Sequence, residues 1–93
     1  MIKRFQLGGK KYRVRYIDHD TNNIGQAKTP LCTVDIQRLW QGKLVPEQSQ
    51  EQTLFHEVTH CILDDIGRSD LNEDETFVQS FAAMMHQFFR SAK

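Results

Sequence analysis

His56-Glu57-Val58-Thr59-His60 has the form H-E-x-x-H, two imidazoles four residues apart with a carboxylate between them. On an α-helix, residues i and i+4 stand one above the other on a single face, with Cβ atoms roughly 5–6 Å apart. Two imidazoles so placed can converge on one Zn²⁺ ion at about 2.0–2.1 Å per Zn–N bond. Glu57 follows His56 by about 100° of rotation. Its carboxylate is therefore expected beside the metal, where a general base for a zinc-bound water belongs. The stretch points to zinc-dependent hydrolysis of a peptide bond, with His56 and His60 as metal ligands and Glu57 as the base.

A catalytic zinc site takes three protein ligands and leaves its fourth position to water. The metzincin spacing would need Gly at 63 and His at 66, but Leu63 and Ile66 stand there. His19 and His86 are the remaining histidines. His86 lies eleven residues beyond Glu75 on one helical stripe, about 16 Å along the axis, and reads as a surface histidine. Asp64 continues the His56–His60 stripe. Three side chains at i, i+4 and i+8 span about 12 Å, too far for one ion, so Asp64 reads as a rim residue.

Glu73-Asp74-Glu75 opens a second helix. Glu75 and Gln79 share the face of that helix turned away from its phenylalanines. Glu75 is the expected third ligand, and Gln79 the amide that bonds a ligand histidine and fixes its tautomer. Asn72-x-x-Glu75 also fits a capping box, in which Glu75 would only close the helix start. Glu73 is the leading replacement ligand.

These side chains need a scaffold. Lys11–Ile17 alternates Tyr12, Val14 and Tyr16 with Lys11, Arg13 and Arg15, the pattern of a half-buried strand after a Gly8-Gly9 turn. Asp18–Asn23 is polar and turn-rich. Ile24–Lys28 suggests a short second strand, with Gly25 marking an edge or bulge. Leu31–Ile36 reads as a third strand with Val34 and Ile36 inward. Gln37–Lys43 is a connection carrying Leu39 and Trp40. The first helix spans about 46–66, starting at Pro46 or at a Ser49-x-x-Gln52 capping box and ending before Gly67. Phe55, Val58 and Ile62, flanked by Cys61, form its apolar stripe, with His56, Glu57 and His60 on the other side. The second helix spans about 73–90, with Phe77, Phe81, Met84, Met85 and Phe88 as a wide core-facing stripe. The expected fold is α+β: a short N-terminal antiparallel sheet of two or three strands packed on two helices, as one domain over 1–93.

Lys plus Arg and Asp plus Glu number twelve each, so net charge gives no argument for nucleic acid or an anionic membrane as partner. No apolar run reaches membrane-spanning length, and residues 1–11 lack the apolar region of a signal peptide. Cys32 and Cys61 form no C-x-x-C pair and read as reduced, packed thiols. A cytoplasmic protein is expected.

His56-Glu57-Val58-Thr59-His60 followed by Glu75-Thr76-Phe77-Val78-Gln79-Ser80-Phe81-Ala82 resembles the ImmA/IrrE-like zincins and the minimal zincins of phages and prophages, which carry H-E-x-x-H and then a helix similar to E-x-x-A-N-x-F-A. Glu75 matches the glutamate ligand of that gluzincin pattern, Gln79 its asparagine, and Phe81-Ala82 its F-A pair. Val78 and Gln79 depart from the usual alanine and asparagine. The resemblance covers about positions 50–90. It implies a zinc metalloprotease, often acting on one regulator or repressor, with a short sheet packed on the active-site helix. The substrate would then be a protein or peptide, taken in extended form along an exposed sheet edge near Ile24–Lys28. Tyr16 and His19 are candidates for the donor that steadies the oxyanion. The competing expectation is a zinc-binding regulatory or interaction module that engages a protein partner without cutting it.

Overall fold

The computed structural model describes residues 1–18 and 23–93. The strands are β1 (Arg4–Leu7), β2 (Lys10–Ile17), β3 (Gly25–Lys28), β4 (Thr33–Gln37), β5 (Leu39–Trp40) and β6 (Lys43–Leu44), followed by the helices α1 (Glu47–Asp65), α2 (Ser69–Asn72) and α3 (Glu75–Ser91). A single 3-10 turn, Thr29–Leu31, links β3 to β4. The α+β arrangement is the one expected, strands first and helices after. Among the described residues no helix is long and apolar enough to cross a membrane.

The main sheet differs from the expected one in size and sense. Its order is β1-β2-β4-β3, and β2 runs parallel to β4 while the outer pairs are antiparallel. A parallel neighbour needs a connection of about a dozen or more residues. The stretch 18–32 supplies it, with β3 inside it as the edge strand. β1 was not foreseen. It has only half-buried alternation and pairs with β2 across Gly8 and Gly9, both at positive φ. The expected connection 37–43 is instead largely a small hairpin, β5–β6, turned by Gln41 and Gly42 at φ 51° and 77°. Two consecutive positive φ values give the twist that suits a two-residue hairpin.

Tyr12, Val14, Val34 and Ile36 point from the sheet to one side and meet Leu54 and Cys61 of α1. Tyr12 stacks on Phe5 with ring centroids 5.0 Å apart. Val34 and Ile36 are inward as expected. On the opposite face of the sheet Asp35 is buried beneath Arg15 and Lys28, whose nitrogens approach it to 2.7 and 3.1 Å. Long basic side chains can cover a sheet face with their aliphatic stems and keep their charge near water.

α1 begins at Glu47 with Pro46 as its cap, so the Ser49 box is not used. It ends at Asp65, and Gly67 at φ 74° takes the left-handed position after it. Its packing is two-sided rather than one-sided. Leu54, Val58 and Cys61 meet the sheet, whereas Phe55 packs on Phe89 and His86 of α3 at 5.4 and 5.3 Å. Thr59 and Leu63 are buried as well.

α3 departs most from expectation. Its buried residues are Val78, Ala82 and His86, whereas Phe81, Met84, Met85 and Phe88 are exposed. Interaxial distance is set by the side chains at the contact, and small ones let helices approach. Val78 and Ala82 bring α3 close to α1; the bulkier stripe would hold it off. His86, expected at the surface, is 7% exposed, and its Nε2 lies 2.9 Å from Glu51. Here a buried ring tied to a carboxylate replaces an apolar contact.

Candidate metal centre

The close approach of α3 to α1 sets Glu75 over the two histidines of H-E-x-x-H. Glu75 Oε2 lies 3.4 Å from His56 Nε2, and Oε1 lies 3.3 Å from His60 Nε2. The His56, His60 and Glu75 ligand atoms all fall within 4.8 Å of one another, and the group can hold a metal ion. Two atoms bonded to one zinc at about 2.0–2.1 Å and the tetrahedral angle are about 3.3–3.4 Å apart. The carboxylate therefore stands from each imidazole nitrogen at the separation that a shared ion imposes.

Local structure explains how Glu75 gets there. The separate turn α2 takes up Ser69–Asn72, so α3 starts two residues later than the expected 73. Asp74 is the cap: its carboxylate accepts a hydrogen bond from the Phe77 N–H at 3.0 Å. Glu75 is thus released from the capping-box role and is 69% exposed at its side chain. Glu73, the replacement ligand, is not in the group.

Both imidazoles are held from behind. His56 Nδ1 donates to the Gln79 amide oxygen at 2.9 Å, the contact expected of Gln79. His60 Nδ1 donates to the Asn72 side-chain oxygen in the same way. Each bond holds the ring through Nδ1 and turns Nε2 toward Glu75. Sequence reasoning took Asn72 only as a cap. The signal that could have found it is the need of the second histidine for its own Nδ1 partner, since Gln79 serves the first.

Glu57 sits beside the pair and is 8% exposed. The Ala27 N–H of β3 bonds its carboxylate, so the edge strand orients the expected base. Burial raises its pKa above the usual carboxylate range, opposed by the neighbouring His56 and His60. Gly25 belongs to the same contact. A Cβ there would stand 2.6 Å from Thr53 Cγ2 and 3.2 Å from a Glu57 oxygen.

Two clefts flank the centre. One, of about 620 Å³, is bordered by Ile24, Gly25, Trp40, Thr53, His56 and Glu57. The other, of about 390 Å³, is bordered by Ala27, Thr29, His60, Asp64, Asn72 and Glu75. Asp64 is thus a rim residue, as expected. Tyr16 is not at either cleft. Its hydroxyl donates to the Ile2 carbonyl at 2.7 Å, because the inward side of β2 carries it into the core. His19 lies outside the described residues. Cys32 and Cys61 are free thiols; Cys61 is buried, and neither belongs to the metal-competent group.

No family model, no curated protein and no solved structure matches the chain.

Proposed function

We propose that the chain is a zinc-dependent metallopeptidase in which His56, His60 and Glu75 hold one Zn²⁺ ion and Glu57 is the general base. The observation that carries this reading is the Glu75 carboxylate, 3.3 and 3.4 Å from two imidazole nitrogens whose rings Gln79 and Asn72 already orient. Two imidazoles and a carboxylate form the donor set of hydrolytic zinc sites. Bound there, the ion supplies a Lewis acid that makes water a competent nucleophile near neutral pH. The protein groups do the rest. Glu57 takes a proton from the attacking water and returns it to the leaving amine. Gln79 and Asn72 keep both imidazoles aimed. β3, an edge strand next to Glu57, offers its free side to an extended peptide by strand addition.

A purified chain should carry close to one zinc per molecule when isolated without chelators. Glu57→Gln should keep the ion and lose hydrolysis of a peptide library by about a hundredfold or more. A metal content near zero would sink the reading, as would cleavage unchanged by Glu57→Gln.

A second reading is a zinc-binding regulatory module that engages a protein partner without cutting it. It draws on one observation: the centre is open, with the Glu75 side chain 69% exposed. Stoichiometric zinc with no turnover across the library would favour it.

A further inference from the structure

The exposed stripe on α3 is out of place on a chain with equal numbers of acidic and basic residues. Phe81 is 44% exposed, Met84 69%, Met85 40% and Phe88 65%, and Phe77 stacks on Phe81 at 5.8 Å. Phe77, Phe81, Met84 and Phe88 are spaced 4, 3 and 4 apart, the alternation of a helix seam that meets another helix. The flanks of the seam are uncharged: Thr76, Ser80, Gln87 and Ser91. The charges of the segment sit at its ends. Glu73, Asp74 and Glu75 stand at the N-terminal end, Arg90 and Lys93 at the other.

We infer that this face pairs with the same face of a second copy, α3 against α3 and antiparallel, about a two-fold axis between Phe81 and Met84. In that register Phe81 meets Met84 of the second copy and Phe77 meets Phe88. Glu73 and Asp74 of each helix face the Lys93 end of the other, and the helix dipoles oppose. A parallel pair would set like ends together. A surface-lying helix for anionic lipid would need Lys or Arg along its polar flanks, and these flanks have none. Taking about 200 Å² for a fully exposed Phe or Met, each copy covers about 440 Å² on Phe81, Met84, Met85 and Phe88, and the half-buried Phe77 adds to it. Two copies bury about 900–1,000 Å², the low end of specific interfaces. The pairing leaves the metal centre open, because Glu75 lies about 120–180° around α3 from the seam.

Light scattering coupled to size exclusion should give a dimer at micromolar concentration, and the melting temperature should rise with protein concentration. Met84→Glu, at the most exposed position of the seam, should give a monomer with unchanged helix content. Orientation is read by disulfides in a Cys32→Ser background. Mixed Phe77→Cys and Phe88→Cys chains should cross-link, whereas Phe88→Cys alone should not, its copies lying about 16 Å apart along the axis. A wild-type monomer at every concentration overturns the inference. So does a monomer that binds phosphatidylcholine vesicles through this face, or efficient cross-linking of Phe88→Cys alone.

Discussion

His56 Nδ1 donates to the Gln79 amide oxygen across 2.9 Å, joining α1 to α3 behind the metal-facing side of the ring. Asn72 does the same for His60 from α2. Amide partners of this kind orient the ring and raise its basicity as a ligand. Gln79→Ala and Asn72→Ala should each weaken zinc binding by about 10–100-fold, measured by competition with a chromophoric chelator. Glu75→Ala should abolish tight binding yet leave helix content intact, because Asp74 caps α3.

Gly25 bears on Glu57, the proposed base, rather than on the His56–His60–Glu75 group. A methyl group at this position meets Thr53 at 2.6 Å and Glu57 at 3.2 Å. Gly25→Ala should therefore displace the Glu57 carboxylate or β3 itself. The expected outcome is a full complement of zinc with turnover reduced about tenfold or more, since small misplacements of a reacting group are costly. Loss of zinc in this variant would contradict the division of labour.

Asp35 gives the fold an acid limit. The Arg15 guanidinium, then Lys28, hold its carboxyl below the usual range, against the opposing effect of burial. A folded-state pKa below the unfolded value near 3.9 contributes stability above that value and loses it as pH falls through the folded pKa. Stability should drop below about pH 4 in urea titrations. Asp35→Asn should cost about 1–3 kcal/mol at neutral pH, at the lower end because both cations are partly solvated. The difference from wild type should shrink as the pH is lowered.

The two thiols should separate cleanly. Burial pushes Cys61 up to about 12, so almost no thiolate exists at neutral pH. Cys32 is partly exposed, at φ 52° in the turn before β4. An aromatic disulfide reagent should titrate one thiol in the native protein and two in denaturant. Fast reaction of both in the native state would mean that the sheet–α1 core opens readily.

Removing zinc should be visible in stability. At free zinc 100-fold above its dissociation constant, binding contributes about 2.7 kcal/mol. For a chain this small, chelation should then lower the melting temperature on the order of 10 °C. Glu75→Ala should show no such shift.

The centre was more legible than its frame. H-E-x-x-H and a downstream glutamate carry their chemistry in residue type and spacing, so His56, His60, Glu75 and Gln79 come together where the sequence points. Strands β2, β3 and β4 show in alternation and in Gly25. The parallel β2–β4 pairing does not, because periodicity reports which face a residue takes and not which neighbour it pairs with. The α3 stripe misled for a related reason. Its strongest apolar signal, Phe81 to Phe88, competes with the weaker Val78–Ala82 pair, and the need for close helix approach decides in favour of the small residues. His86 was lost because a lone histidine gives no hint of Glu51, thirty-five positions away.

In the proposed function, holding an ion and using it draw on different stretches of the chain. The three metal-competent groups and both amides fall within 56–79, the stretch that runs from α1 through α2 into α3. The orientation of Glu57 comes from Ala27, on the far side of the sheet order and early in the sequence. The ligand group is therefore complete without the edge strand, whereas the aim of Glu57 depends on it. Damage to the edge strand should yield a protein that still captures metal and has become chemically silent.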